Sequence, residues 1–75
     1  MSSAISYILY REDLLGHRHP LKNFSEDEDN SKALAERYIE IQKSDDAWPE
    51  DHKPILISSD REKWELTKDY SWREL

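Results

Sequence analysis

Three histidines of this 75-residue chain have the chemistry of metal ligands. His17 and His19 lie on the same side of an extended segment, and His52 could supply a third imidazole. However, the chain has no cysteine, and the histidine spacing lacks the signature of known zinc motifs. Gly16 also indicates a solvated turn beside the first pair. We therefore expect no metal site.

The chain also contains the side chains of a hydrolytic triad, namely Ser58, Ser59, Asp60 and the histidines. A nucleophile elbow needs several glycines, whereas Gly16 is the single glycine of the chain. The same shortage excludes a P-loop and a dinucleotide-binding fingerprint. A chain of this length also has little room for a water-excluding pocket. We expect no catalytic residue, no cofactor and no enzyme activity.

Charge is the property that departs most from the average. The 17 acidic and 11 basic side chains give a net charge of −6. Residues 1–25 carry a net +1, residues 26–51 a net −7 and residues 52–75 a net 0. The negative middle third predicts a surface that attracts and docks a basic partner. The alternative is a solvated helix face whose acids complement the helix dipole and keep the protein soluble.

The predicted partner-binding residues all belong to this middle third. They are Glu36, Glu40, Asp45, Asp46, Trp48, Glu50 and Asp51. Trp48 has two interpretations, an exposed anchor among acids or a cap on the end of a sheet. For Tyr70 and Trp72, packing is favoured over binding.

These features predict a small non-catalytic interaction or regulatory protein whose partner is another protein, basic or nucleic-acid-binding. A carboxylate-rich face that mimics DNA would make it an inhibitor of a nucleic-acid-handling protein. One alternative is a nucleic-acid-binding module that uses Arg11, Arg18 and Lys22 beside Tyr10. Direct nucleic-acid binding is disfavoured because the chain is acidic overall. Another alternative is a subunit or homodimer that pairs through an edge strand at residues 19–24.

The first two strands are predicted by short β-branched and aromatic runs. Residues 5–10 form one of them, and residues 19–24 form its partner. Gly16 marks the turn between them. Pro20 lacks a backbone donor and confines the second strand to an edge.

An amphipathic helix follows. A capping box at Ser25 and Glu28 predicts its start, with Asn30 or Ser31 as the alternative, and it should end near Ser44. The positions expected to be buried are Leu34, Tyr38 and Ile41, flanked by Ala35 and Ile39. The positions expected on the opposite side are Lys32, Glu36, Glu40 and Lys43.

The last third predicts further strands. Residues 54–58 are continuously apolar, which is typical of a central strand. Residues 60–72 are ambiguous, because the alternation of Trp64 and Leu66 favours a strand whereas a capping box at Ser59 would open a short helix.

Together these elements predict a single α+β domain over residues 1–75, in the order β-β-α-β-β. One amphipathic helix packs on one face of a small antiparallel sheet. An acidic loop covers about residues 44–54, and residues 69–75 form a loose tail. The longest apolar run, residues 7–10, is far too short to span a membrane. With no cysteine in the chain, we expect a cytoplasmic protein without a membrane partner.

Overall fold

The computed structural model describes residues 5–75, so residues 1–4 of the predicted domain lie outside the described residues. One helix and five strands follow one another along the chain. They are β1 (Tyr7–Glu12), β2 (Arg18–Phe24), α1 (Glu28–Ser44), β3 (Lys53–Ser58), β4 (Lys63–Leu66) and β5 (Trp72–Glu74).

The strands form one antiparallel sheet in the order β2-β1-β3-β4-β5, with the helix between β2 and β3 in sequence. The predicted α+β class is therefore confirmed. Residues 63–66 form a strand and not the alternative helix. The sheet has a fifth strand, Trp72–Glu74, so the prediction of a loose tail over residues 69–75 is wrong at these three residues.

The three hairpins of the sheet share one five-residue turn. The N–H of its first residue donates to the carbonyl of the fifth, and the N–H of the fourth donates to the carbonyl of the first. The first residue is Asp13, Ser58 or Thr67, and its side chain accepts from the N–H of the fifth. The second to fourth residues form a three-residue hairpin loop, and such a loop requires a positive φ at its last residue, the fourth of the turn. It is Gly16 (φ 84°), Arg61 (φ 70°) or Tyr70 (φ 60°).

A bulge interrupts β2 where it pairs with β1. Leu9 is opposite Lys22 and the next residue, Tyr10, is opposite Pro20. Leu21 is the extra residue, and it packs against the core. The bulge therefore keeps an apolar side chain on the inner face of a strand that is otherwise largely exposed.

The N-cap of helix α1 lies two residues after Ser25, the predicted N-cap. Asp27 is the N-cap, with extended backbone, and its Oδ1 accepts from the N–H of Asn30 at 2.8 Å. The predicted start at Ser25 is wrong, because residues 25 and 26 connect the end of β2 to the helix. The alternative start at Asn30 or Ser31 is also wrong, since both lie inside the first turns. The predicted end at Ser44 is confirmed.

The predicted buried face of the helix is confirmed at Ala35, Ile39 and the half-buried Tyr38, and is wrong at Leu34 and Ile41. Its buried residues are Ser31, Ala35 and Ile39, whereas Leu34 and Ile41 are 42% and 49% exposed. The observed face is displaced by one residue, which is about 100° around the helix. The prediction weighted the largest apolar side chains, whereas the buried stripe combines the small Ser31 and Ala35 with Ile39. The buried Ser31 hydroxyl donates to the carbonyl of Glu26.

The core is filled mainly from the sheet. Leu9, Leu56 and Trp64 are directly opposite one another across β1, β3 and β4, and all three are buried. Tyr7 packs against Trp64 with ring centroids 6.1 Å apart. Large side chains on the sheet thus compensate for small ones on the helix. The one helix of the described residues is not long and apolar enough to cross a bilayer.

Candidate functional site

One flank of the helix is occupied by the C-terminal hairpin. Trp72 Nε1 donates to Glu36 Oε2 at 2.9 Å. Lys32 Nζ lies 4.4 Å from the centroid of the Trp64 ring and 2.9 Å from Glu28 Oε2. Because Lys32 and Glu36 contact β4 and β5, their predicted position on the solvent side is wrong.

Lys43 extends the same flank towards the C-terminal end of the helix. Its Nζ lies 5.3 Å from the centroid of the Tyr70 ring, in the turn between β4 and β5. The cation–π contact helps to hold an aromatic residue that has positive φ. The helix therefore fixes the hairpin at three points.

The solvent side of the helix carries a shallow depression, which we call the helix depression. Its floor is formed by Ala33 and Leu34, with Arg37 beside them. Carboxylates border it, namely Glu26, Glu36 and Glu40. Glu40 is exposed, so of the two predicted helix acids it is the one fully available to a partner.

The predicted acids Asp45 and Asp46 lie directly after the helix and are exposed. The N–H of Asp45 donates to the carbonyl of Ile41 and that of Asp46 to the carbonyl of Lys43, and Asp46 has a positive φ of 58°. Two carboxylates at this end face the negative pole of the helix dipole. The negative charges of Asp45 and Asp46 are therefore unfavourable in the free protein, and their exposed carboxylates are accessible to a cationic group of a partner.

Trp48 lies in the acidic loop and covers one end of the hydrophobic core. It is half-buried, packs against the core residues, and donates from Nε1 to the carbonyl of His52 at 3.1 Å. This geometry favours the interpretation of Trp48 as a cap over that of an exposed anchor. Glu50 and Asp51 are exposed beside it, on the wall of an open groove that reaches Lys68.

The acids of the middle third are almost all unpaired. Among residues 5–75, Glu28 is the only one of the ten carboxylates in 26–51 with a cationic nitrogen within 4 Å. The other ion pairs involve Glu12, Asp13 and Glu65. The predicted acids are therefore not held in ion pairs within the described residues, although Arg37 lines the helix depression and Lys68 lines the groove beside Glu50 and Asp51.

A second group of carboxylates, absent from the predicted site, surrounds Tyr7 at the other end of the helix. Burial raises the pKa of the Tyr7 hydroxyl, and negative charges nearby raise it further. Those charges belong to Glu28, Glu62, Asp60 and Asp27. The start of the helix and the β3–β4 turn are brought together here by the topology. The acid-rich segments were visible in the sequence, but their proximity was not.

The basic side chains of the first hairpin are engaged with neighbours. Arg18 Nε lies 3.1 Å from Glu12 Oε1. Arg11 Nη1 donates to His52 Nδ1 at 2.7 Å, which leaves the His52 proton on Nε2. The cations proposed for nucleic acid are therefore largely used within the fold.

His17 lies beside Asp13 together with His19, with its Nδ1 4.0 Å from Asp13 Oδ2, and only His52 is held separately. His19 Nε2 is 2.8 Å from Asp13 Oδ2, whereas His52 is bound to Arg11. In the part of the chain that the structure describes, no three His, Asp or Glu side chains are arranged to hold a metal ion.

Asp13 organises the turn of this hairpin. Its Oδ1 accepts from the N–H groups of Leu15 and His17, both at 2.9 Å. The hydrogen bond with His19, followed by that from the His17 backbone, lowers the pKa of Asp13 to about 2. Asp13 is thus an ionised structural residue at neutral pH.

The edge strand β2 carries features that oppose pairing with a second copy. Pro20 removes a backbone donor, Lys22 adds charge and Leu21 forms a bulge. Proteins use these devices to block edge-to-edge association. The predicted homodimer through residues 19–24 gains no support from this geometry.

Comparison with known proteins returned no match to a family model, a curated protein or a solved structure.

Proposed function

We propose that this protein is a non-catalytic interaction module that binds a basic protein through its carboxylate surface. The surface comprises the outer side of α1 and the acidic loop, and its residues are Glu36, Glu40, Asp45, Asp46, Glu50 and Asp51. The observation that supports it is that, among residues 5–75, none of these six carboxylates has a cationic nitrogen within 4 Å. Such a surface attracts a positive partner over about 8–10 Å at physiological salt and raises its association rate.

The density of charge suggests the class of partner. Seven carboxylates without an ion pair lie from Glu26 to Asp46; three of them are in the helix, which is about 25 Å long, and two lie beyond each end. Their average spacing is therefore wider than the ~3.4 Å between charges on a single nucleic-acid strand, and it is further still from the ~1.7 Å of a duplex. The sharper form of the proposal is an inhibitor that competes with single-stranded nucleic acid for a cytoplasmic protein.

Affinity capture from native lysate at low and moderate salt tests the proposal. The test variant carries Glu40→Lys, Asp45→Lys and Asp46→Lys, which avoids Glu36 because of its bond to Trp72. The control variant carries Asp60→Lys, Asp69→Lys and Glu74→Lys, with the same change in net charge at exposed positions elsewhere.

We expect a stoichiometric basic protein that is lost as salt rises, lost with the test variant and retained by the control. Single-stranded DNA or RNA should displace it more effectively than duplex. Equal capture by the test variant and the unmodified protein would contradict the carboxylate surface, and displacement by duplex alone would contradict the single-strand form.

A further inference from the structure

The three histidines of the chain face partners of opposite charge. His19 Nε2 lies 2.8 Å from Asp13 Oδ2, and His17 Nδ1 lies 4.0 Å from the same oxygen. His52 lies against a cation instead, because its Nδ1 is 2.7 Å from Arg11 Nη1. A proton on either of the first two histidines strengthens an attraction, whereas a proton on His52 creates a repulsion.

The chemistry of the two side chains determines the protonation state of His52. An arginine guanidinium is always charged and only donates hydrogen bonds, so Nδ1 of His52 must accept and the ring must be neutral. A proton on Nδ1 would replace the acceptor by a donor and place two positive groups 2.7 Å apart. The Arg11–His52 contact therefore exists only while His52 is neutral.

The Arg11–His52 contact joins the segment 45–52, between α1 and β3, to the sheet. His52 directly precedes β3, and Arg11 lies in β1. Within residues 5–75, it is the only side-chain hydrogen bond between this segment and another element. Both side chains are half-buried, so salt screens their interaction only in part.

His52 also holds Trp48 through its backbone. Its carbonyl accepts from Trp48 Nε1 at 3.1 Å, and its N–H donates to the carbonyl of Pro49 at 3.4 Å. The position of His52 thus determines where the indole lies over the end of the core. Asp46 and Asp51 have positive φ on either side of Trp48, so opening of the segment would relieve backbone strain.

The groove beside the segment brings together charged groups from the neighbouring elements. Those that line it with His52 are Lys43 of α1, Asp46, Glu50 and Asp51 of the segment, Lys53 of β3, Glu65 of β4 and Lys68 of the turn that follows it. In β1, Glu12 is opposite Lys53 but is paired with Arg18. Within residues 5–75, no cationic nitrogen lies within 4 Å of Asp46, Glu50 or Asp51. Their carboxylates can therefore accept the protonated imidazole once it leaves the guanidinium.

We propose that the Arg11–His52 contact is a pH-sensitive device, which holds the segment 45–52 closed over the end of the core at neutral pH and lets it open when His52 takes up a proton. Histidine ordinarily changes charge near pH 6.5. Because only the open segment binds the proton, the ratio of closed to open segment should fall about tenfold between pH 7.5 and 5.5. The inference goes beyond the proposed function, since it concerns the free protein and holds with or without a partner.

Hydrogen exchange of the Trp48 indole N–H measures this ratio, after correction for the intrinsic exchange rate at each pH. We expect its protection factor to fall about tenfold between pH 7.5 and 5.5. The indole N–H of Trp72 is the internal control, because it donates to Glu36 and has no bond to the segment. Its protection should not change over the same range.

Two variants assign the effect to the contact. His52→Asn keeps an oxygen acceptor for the guanidinium and cannot be protonated, whereas Arg11→Gln can donate to the neutral ring and accept from the protonated one. Both should lose the pH dependence at Trp48, and retained protection of Trp72 shows that they fold. His19→Gln, which removes a histidine of the first hairpin, should keep the tenfold change.

Three results would each overturn the proposal. The first is unchanged Trp48 protection in the unmodified protein, and the second is an equal fall in either variant of the contact. The third is an equal loss of protection at Trp72, because it would show general unfolding in place of local opening. None of these results bears on the carboxylate surface, which the capture experiment tests separately.

Discussion

Trp72 Nε1 donates to Glu36 Oε2 at 2.9 Å and thereby joins the last strand of the sheet to the middle of the helix. A residue expected on the outer acidic face therefore has a structural role. The strand it secures is three residues long and, within residues 5–75, pairs with β4 alone. So short an edge strand depends on contacts of this kind to stay in place.

The Glu36 contact predicts an unequal effect of two similar substitutions. Glu36→Ala should destabilise the protein by about 1–2 kcal/mol, because it removes a charged acceptor and leaves a half-buried indole N–H without its partner. Glu40→Ala, one turn further on the solvent side, should change stability by less than about 0.5 kcal/mol. Urea unfolding followed by tryptophan fluorescence measures both, and equal effects would show that the bond contributes nothing.

Periodicity and composition predicted the fold class but not the orientation of the helix. The strand runs, the turn at Gly16 and the end of the helix at Ser44 followed from local chemistry. The buried face did not, since a hydrophobic pattern gives weight to Leu34 and Ile41 over Ala35. Which side of the helix is buried depends on how its side chains fit the large residues of the sheet, and that information resides in other segments.

The sequence predicted which residues carry the charge of the candidate site, but it did not predict how these residues are arranged in space. The carboxylates of the middle third were evident as charges, yet whether Lys32 or Arg37 would neutralise them depends on three-dimensional placement. The convergence of Asp27 and Asp60 near Tyr7 depends on the β3–β4 turn meeting the helix start. Strand β5 was missed because Tyr70 occupies the turn position where glycine or asparagine usually signals a hairpin.

The helix cap gives a prediction that separates the two candidate starts. Asp27→Ala should lower stability by about 1 kcal/mol, since the Asn30 N–H loses its acceptor and a negative charge leaves the positive end of the helix. Ser25→Ala should have little effect because no cap bond involves Ser25 within residues 5–75. Chemical denaturation of both variants checks this, and a larger loss for Ser25→Ala would restore the predicted capping box.

The Asp13 turn predicts a component of acid sensitivity. The pKa of Asp13 is lowered from 3.8 to about 2 in the folded protein, so the folded state favours the ionised carboxyl. The resulting stability is fully present above about pH 4 and is lost as the pH falls towards 2. Asp13→Asn keeps an oxygen acceptor for the backbone N–H groups but cannot titrate. Its loss of stability between pH 4 and 2 should be smaller than that of the unmodified protein, and parallel curves would contradict the assignment.

The three equivalent turns allow a matched pair of substitutions at the positive-φ position. Arg61 is exposed and has φ 70°, a conformation that costs a non-glycine residue roughly 1–2 kcal/mol. Glycine relieves this strain but loses more entropy on folding, so Arg61→Gly should stabilise the protein by about 0.5–1 kcal/mol. At Gly16, a Cβ would meet no atom within 4 Å, so Gly16→Ala should destabilise by about 1 kcal/mol through backbone conformation alone. Thermal and urea unfolding of the two variants should shift in opposite directions, and a shift in the same direction would show that the turns are not energetically equivalent.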